Sequence, residues 1–150
     1  MLRIHPHSLM NHFTLPELCA SVTAKLRGID NMPNFMQASN LEYLVDNLLD
    51  PLREAFGAPI IVQSGFRCNE LNRLVGGVDG SYHTKGLAAD ISAVGQDRLQ
   101  NKRLVELLDE RNLPFDQCIL YDHLPAIGPR WIHLNVRLDP TQNRRVYLRR

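Results

Sequence analysis

The clearest hydrophobic pattern in the chain is a stripe of six apolar residues with helical spacing. They fall at i, i+3, i+4, i+7, i+8 and i+11, which is one face of an amphipathic α-helix. The stripe consists of Leu41, Leu44, Val45, Leu48, Leu49 and Leu52. Ser39 and Glu42 form a candidate capping box at its start. Pro51 should kink or restart the helix near Asp50, and Gly57 should end it.

Other helical signals are shorter. Thr14 lies three residues before Glu17, with Pro16 in the first turn, and this pattern predicts a short helix. The segment "CNELNRLVGG" predicts another short helix, closed by glycines. Residues 97–111 predict a longer helix, whereas residues 28–38 read as a loop.

Several segments carry the short apolar runs typical of β-strands. They are "PIIVQSG", "LAADIS", "FDQCILYD", "WIHLNVRL" and, as a candidate last strand, "RRVYLRR". The first of these reads as a buried strand. A loop with two prolines and a glycine, "HLPAIGPR", separates the third segment from the fourth. Helices mixed with strands that are joined partly by hairpins predict a single-domain α+β fold, with an antiparallel sheet and flanking helices.

The segment "WIHLNV" has the alternation of a half-buried strand. Ile132 and Leu134 should face the core. Trp131, His133 and Asn135 share the opposite face, on which a site could be built. Taken alone, His133 is more simply a half-exposed strand residue.

Composition and charge narrow the class of protein. The chain has 150 residues, 44% of them apolar and 22% charged, which is typical of one globular domain. A net charge of +1 gives no sign of nucleic-acid binding, and no nucleic-acid partner is expected. The last seven residues, "RRVYLRR", are locally basic. They form either a solvated strand or a contact with an anionic polymer.

The cysteines and the apolar runs indicate the cellular compartment in which the protein is expected. Three cysteines, Cys19, Cys68 and Cys118, lie far apart without a C-x-x-C pair, which argues against a disulfide framework and against a cysteine zinc site. No apolar run approaches the length of a transmembrane helix, and no membrane partner is expected. The opening "MLRIHPHSLMNHF" lacks the apolar core of a signal peptide. We therefore expect a protein that is cytoplasmic as synthesised.

The stretch "SYHTKGLAAD" contains the most informative polar residues. His83 and Asp90 can converge on one ion if the loop folds back on the strand, and Gly86 makes that easy because it tolerates unusual backbone angles. With His133, the set comprises two imidazoles and a carboxylate, which suits zinc and leaves a fourth position for water. The alternative is a polar loop that runs into an ordinary strand.

The order of the motifs resembles a known family. "SGFRCNELNRLVGG", then "SYHTKGLAAD", then "FDQCILY" and "WIHLNV" are similar to the zinc D-alanyl-D-alanine carboxypeptidases and phage endolysin peptidases. L-alanyl-D-glutamate endolysins and vancomycin-resistance D,D-dipeptidases are relatives, and the hedgehog signalling domain shares the fold. The opening "HFTLPELCAS" looks like the short phage-type members. The resemblance covers roughly residues 12–137.

The resemblance implies a zinc metallopeptidase that cleaves peptidoglycan stem peptides with a zinc-activated water. The bond would be that of a D,D-carboxypeptidase or of an L-alanyl-D-glutamate-type endopeptidase. A phage-type protein of this kind would act on the cell wall after release, or would be carried in a virion. We expect a monomer whose partner is the peptide substrate.

The resemblance also implies roles for particular residues. The zinc ligands would be His83, Asp90 and His133. Arg67 would contact substrate and steady the oxyanion, with a surface salt bridge as the alternative. Ser81 would support the site or face the substrate, unless it is simply a loop cap. We also expect Trp131, beside His133, to contact substrate.

The general base is the weak point of the resemblance. Many relatives place an acidic residue or a histidine two or three residues before the last zinc ligand, where this chain has Trp131 and Arg130. Neither side chain can accept the proton. If "FDQCILYD" pairs with "WIHLNV" across the loop, Asp122 lies near Trp131 and on the face of His133. Asp122 is therefore the first choice for the base.

This choice depends on a guessed strand register, so Tyr121 and His123 stay open as alternatives. The missing base also leaves room for two other functions. One is a catalytically inactive zinc-containing module that binds the cell wall or belongs to a virion. The other is a metal-free α+β interaction domain.

Overall fold

A computed structural model describes residues 10–122 and 129–150 of the chain. It has the predicted α+β fold, and its five strands form one sheet with the order β1-β2-β4-β3-β5. The strands are β1 Ile60–Ser64, β2 Ala88–Ala93, β3 Gln117–Tyr121, β4 Trp131–Asn135 and β5 Val146–Arg149. Neighbouring strands are antiparallel except β5, which runs parallel to β3.

The helices flank this sheet. They are α1 Leu15–Cys19, α2 Val22–Arg27, α3 Phe35–Leu44, α4 Asp50–Phe56, α5 Asn69–Leu74 and α6 Arg98–Glu110. A π-helical turn, Val45–Leu49, joins α3 to α4. Short 3₁₀ helices span Tyr82–Lys85, Val94–Gln96 and Pro140–Gln142. Within the described residues, no helix combines the length and the apolar character needed to cross a bilayer.

The apolar stripe forms the centre of the core, as predicted, and all six of its side chains are inaccessible to solvent. The predicted start of this helix is wrong. Asn34 is the N-cap and forms a reciprocal capping box with Gln37, each side chain accepting a backbone N–H at 2.8 Å. Residues 28–38 are therefore not loop throughout. The first turn carries exposed Phe35 and Met36, so its apolar residues do not extend the buried stripe.

The end of this helical region confirms the proline and glycine signals. After the π-helical turn, α4 restarts at Asp50 with Pro51 in its first turn, where a missing N–H is tolerated. Gly57 ends α4 in the left-handed conformation, with φ 73°. Thr14 likewise caps α1, because its side chain accepts from the N–H of Glu17.

The two faces of the sheet differ, and β4 shows this clearly. Ile132 and Leu134 are buried in the same apolar cluster as the inner face of α6, which confirms the predicted alternation. Trp131 and His133 are half-buried on the other face. Strand β1 is an edge strand rather than the buried strand expected, and Ile61 on it is 43% exposed.

The C-terminal segment is fixed to the sheet by a buried carboxylate, Asp116. Its Oδ1 accepts from the backbone N–H of Arg144 at 2.9 Å and from Arg137 Nε at 3.1 Å. Arg144 Nη2 donates to Oδ2 at 2.9 Å, and Asn135 Nδ2 at 3.3 Å. Asn135 is buried although it was predicted to share the face of His133, and Asp116 gives its Nδ2 a hydrogen-bond partner there.

The basic end of the chain pairs with the chain's own acids. Arg145 lies 2.9 Å from Asp109, and Arg149 lies 3.0 Å from Asp122. These ion pairs fit the interpretation of a solvated last strand. The three cysteines are free, and burial raises the pKa of the Cys118 thiol to about 12.

Candidate metal centre

Strand register brings two of the predicted ligands together. Asp90 on β2 is the Cα partner of His133 on β4, so the two side chains leave the same face of the sheet. Asp90 Oδ1 lies 2.9 Å from His133 Nδ1. On the other side of β2, Asp90 is paired with Ser64 of β1. The sheet therefore presents Ser64, Asp90 and His133 in one row.

The third predicted ligand, His83, comes from the 3₁₀ helix before β2. Ser81 caps this helix by accepting from the His83 N–H at 3.3 Å. Gly86 ends it with φ 75°, and a Cβ there would lie 2.4 Å from the carbonyl oxygen of Gln37. The loop thus folds back as predicted, because Gly86 allows both the backbone angle and the close approach. His83 Nε2 lies 3.2 Å from Asp90 Oδ1.

These three residues form a compact set of donor atoms. One donor atom from each of His83, Asp90 and His133 lies within 4.8 Å of the other two. The imidazole rings are tilted by 58°, with their centroids 5.1 Å apart. His83 is buried, and the other two side chains are mostly covered. One metal ion can be held by such a set.

The hydrogen bonding of His83 shows that this donor set fits a metal ion. His83 Nδ1 lies 2.7 Å from the carbonyl oxygen of Gly65, which can only accept, so Nδ1 carries the proton. In the neutral form of the ring, Nε2 then has a lone pair directed towards Asp90 Oδ1, which is also an acceptor. Two acceptor atoms that face each other cannot hydrogen-bond to each other, but both can bind one cation. His83 Nε2 and Asp90 Oδ1 are therefore arranged as two ligands of one metal ion. A second ring nitrogen bound to a carbonyl is also the usual support of a zinc-binding histidine.

Asp90 is prepared to act as an anionic ligand. Burial raises the pKa of Asp90, but the two imidazoles beside its carboxylate, His133 and His83, outweigh burial and hold the pKa of Asp90 below its usual range. Its second oxygen, Oδ2, accepts from Arg67 Nη2 at 3.3 Å. Asp90 therefore directs Oδ1 to the histidines while Oδ2 is held by a guanidinium.

Arg67 is held on three sides. Its Nε donates to Ser64 Oγ at 3.0 Å and its Nη1 to Asn72 Oδ1 at 3.2 Å, besides the bond to Asp90. Burial lowers the pKa of Arg67, and the charge of Asp90 opposes that shift. Arg67 and Ser64 also line a cavity of about 320 Å³ beside β1. The salt bridge between Arg67 and Asp90 is mostly buried. It therefore belongs to the candidate metal centre and is not the surface salt bridge considered as the alternative.

Two aromatic rings lie beside the metal set. Tyr121 on β3 is the Cα partner of Trp131, and their rings stack with centroids 4.5 Å apart and an interplanar angle of 18°. Trp131 and His133 are two residues apart on β4, so both rings share the face of the metal set. The contact of Trp131 with substrate stays a prediction.

The register also corrects the argument for Asp122. Because Tyr121 pairs with Trp131, the next residue, Asp122, falls on the opposite side from His133, and the assumed same-face position is wrong. Asp122 instead bonds to Arg98 at 2.9 Å and to Arg149 at 3.0 Å. These arginines hold the pKa of Asp122 below its usual value against the effect of burial.

Arg130 completes this arginine cluster, with its Nε 3.4 Å from Asp122 Oδ1. The carboxylate of Asp122 therefore contacts three guanidinium groups. The prediction of Asp122 as the general base assumed that it lies on the face of His133, and the observed register removes that assumption. His123, an alternative base, lies outside the described residues.

Sequence reasoning missed two supports of the site. One is the carbonyl of Gly65, and the other is the side chain of Asn72, which is 3% exposed. Both lie in the quoted motif "SGFRCNELNRLVGG". The available signal for Asn72 was a polar residue beside the apolar positions of a short helix, which is unusual unless the amide has partners.

Comparison with known proteins gives one further finding. The model of a family described as Peptidase M15 matches residues 11–124. No curated protein matches the chain. The matched region contains Arg67, His83 and Asp90 and ends before His133, so the third member of the metal set is supported by the geometry.

Proposed function

The chain belongs to the peptidase M15 family of zinc-dependent peptidases, and from that premise we propose that it hydrolyses amide bonds in peptidoglycan stem peptides. The observation that carries the proposal is the convergence of His83, Asp90 and His133 on the face of the sheet. A metallopeptidase needs such a set, with room left for substrate.

In this proposal His83, Asp90 and His133 hold the zinc ion. When bound, zinc supplies a Lewis acid that activates water and polarises the amide carbonyl. The chain's own contribution is orientation. The Gly65 carbonyl fixes the ring of His83, and Arg67 fixes the carboxylate of Asp90.

Substrate contacts are proposed on both sides of the metal set. Arg67 lines the cavity of about 320 Å³ beside β1, where its charge suits a peptide carbonyl or carboxylate. Trp131, stacked on Tyr121, offers a flat aromatic surface on the other side. Ser81 acts as the cap that positions His83, which supports its role in holding the site rather than in binding substrate.

The proposed substrate class includes two bonds. A D,D-carboxypeptidase and an L-alanyl-D-glutamate-type endopeptidase would both use this metal set. The protein would act as a monomer and would meet the wall after release from the cell, or as part of a virion. The test below also identifies the bond.

The test is mass spectrometry of purified peptidoglycan fragments after incubation with the zinc-loaded protein. A chelated sample and a His83→Ala variant serve as controls. We expect cleavage only in the zinc-loaded wild type, and the fragment masses name the bond. Intact fragments in every sample, with zinc bound one to one, would refute the peptidase proposal.

A second candidate follows from the position of Asp122 in the arginine cluster. With Trp131 and Arg130 before His133, a carboxylate base at the expected position is missing from the described residues. This favours a zinc-containing module that binds the wall, or belongs to a virion, without cleaving it. Such a module retains stoichiometric zinc and co-sediments with peptidoglycan, yet leaves the fragments intact at high protein concentration.

A further inference from the structure

Asn72, a buried residue of α5, bonds to the guanidinium that holds Asp90. Its Oδ1 accepts from Arg67 Nη1 at 3.2 Å, and Arg67 Nη2 donates to Asp90 Oδ2 at 3.3 Å. Only 3% of Asn72 is exposed to solvent. A buried amide of this kind is costly unless it is bonded, so both ends of the side chain should have partners.

The other end of the same amide reaches the loop that carries His83. Asn72 Nδ2 donates to the carbonyl oxygen of Val78 at 2.9 Å. That oxygen also accepts from the N–H of Ser81 at 3.1 Å. Ser81 in turn caps the 3₁₀ helix through the N–H of His83. Asn72 is thus bonded to the supports of two predicted metal ligands.

Gly77 is fitted to this side chain. The Gly77 N–H donates to the carbonyl oxygen of Asn72 at 2.8 Å. A Cβ built on Gly77 would lie 2.0 Å from Asn72 Oδ1, the atom that accepts from Arg67. Any larger residue at position 77 must therefore displace the Asn72 amide.

We propose that Asn72 is a positioning residue of the metal centre, which holds Arg67 against Asp90 and anchors the loop of His83. The inference rests on the proposed zinc site. Asn72 acts through Arg67 on one side and through the Val78 carbonyl on the other. Gly77 is small because the Asn72 side chain occupies the space of its Cβ.

The first experiment measures zinc affinity by competition with a chromophoric chelator, in the absence of substrate. We expect Asn72→Ala to weaken zinc binding about 10-fold, the lower end of the range for residues that support metal ligands. Asn101→Ala is the matched control. Asn101 is an equally buried amide on α6, where it accepts from the Ala93 N–H at 2.8 Å. It should lose stability and keep its zinc affinity.

A double-mutant cycle separates positioning from a general loss of packing. In an Arg67→Ala background, Asn72→Ala should have a clearly smaller effect on zinc affinity than in the wild type, whatever Arg67→Ala does alone. An equal effect in both backgrounds would overturn the role through Arg67.

Gly77→Ala supplies a variant that leaves every polar group in place. It should weaken zinc binding as Asn72→Ala does, and it should add nothing in an Asn72→Ala background, where the colliding oxygen is absent. If Asn72→Ala does not fold, Gly77→Ala alone decides the matter. Wild-type zinc affinity in a folded Asn72→Ala or Gly77→Ala protein would refute the proposal.

These measurements are independent of catalysis. A wild-type protein that binds zinc but cleaves no peptidoglycan would remove the proposed peptidase activity and leave the role of Asn72 intact. A wild-type protein that binds no zinc would remove both.

Discussion

His83 donates from Nδ1 to the carbonyl oxygen of Gly65 across 2.7 Å, and this bond turns Nε2 towards Asp90. Gly65 can hold that position because it has no side chain. A Cβ on Gly65 would lie 2.1 Å from the carbonyl oxygen of Leu18, which also accepts from the Phe66 N–H at 2.8 Å. The orientation of a predicted metal ligand therefore depends on contact with α1.

Gly65→Ala should separate the strand end from α1 and shift the Gly65 carbonyl away from His83. We expect zinc affinity to fall at least 10-fold, together with a loss of roughly 2 kcal/mol in the free energy of unfolding. Isothermal titration with zinc and urea unfolding measure the two effects.

Gly28→Ala is the control, since Gly28 is also constrained but lies at the end of α2 with open space around its Cβ position. It should cost about 1 kcal/mol through its left-handed backbone and leave zinc affinity unchanged. Unchanged zinc affinity in Gly65→Ala would show that the Gly65 carbonyl does not orient His83.

Zinc should stabilise the folded protein by mass action. At a free zinc concentration about 1,000 times Kd, the stabilisation is about 4 kcal/mol, which corresponds to a rise in Tm of roughly 8–16 °C for a domain of this size. Thermal unfolding with zinc or with a chelator measures it. His133→Ala should abolish the rise.

His12→Ala should keep the full rise, because His12 lies beside Glu54 rather than in the metal set. A rise in Tm that survives His133→Ala would place the bound zinc elsewhere on the chain.

Asp122→Asn tests whether Asp122 stabilises the fold through the arginine cluster or acts as the general base. Because its carboxylate lies in the arginine cluster on the opposite side of the sheet, we expect stability to fall by about 2–3 kcal/mol. We expect kcat of the zinc-loaded protein to stay within about threefold of wild type, since a general base would be worth 10²-fold or more. Steady-state kinetics on a peptidoglycan fragment provide the measurement, and a 100-fold loss of kcat in a folded variant would reinstate Asp122 as the base.

Much of the fold can be predicted from local sequence patterns. The position of Asp122 shows that such patterns do not predict the register between strands. The stripe from Leu41 to Leu52 and the alternation in β4 each depend on residues close in the chain, so periodicity predicts them. The face on which Asp122 lies depends on the register of β3 against β4, and a slip of one residue reverses it.

Two other differences have similar causes. The parallel pairing of β5 with β3 depends on a contact between distant segments, which carries no local signal. The N-cap at Asn34 did carry a signal, since Asn34 and Gln37 have capping-box spacing. The prediction placed the helix start later because the apolar stripe begins only at Leu41. The metal set was predictable because its motifs resemble a family, whereas the link from Asn72 to two ligands requires coordinates.

Asp116 gives a prediction for acid stability. Against the effect of burial, its hydrogen bonds with Arg144 and Asn135 lower its pKa from 3.8 to about 2. A lowered pKa means that the stabilising contribution is complete above pH 4 and is lost as pH falls towards 2. From the size of the shift, we expect a contribution of about 2 kcal/mol near neutral pH.

Asp116→Asn should therefore be destabilised at pH 7, and the difference from wild type should shrink between about pH 4 and pH 2. Urea unfolding of both proteins across this range measures the difference. A constant difference over the whole range would show that the charge of Asp116 does not contribute.

The row formed by Ser64, Asp90 and His133 has a consequence for folding kinetics. The row exists only after β2 has paired in the correct register with both β1 and β4, and a shift of one residue between β2 and β4 would turn the Asp90 and His133 side chains to opposite faces. Zinc would therefore recognise a sheet that is already assembled. Its stabilisation should appear as slower unfolding, with little change in the folding rate, so that the ion would extend the lifetime of the native state.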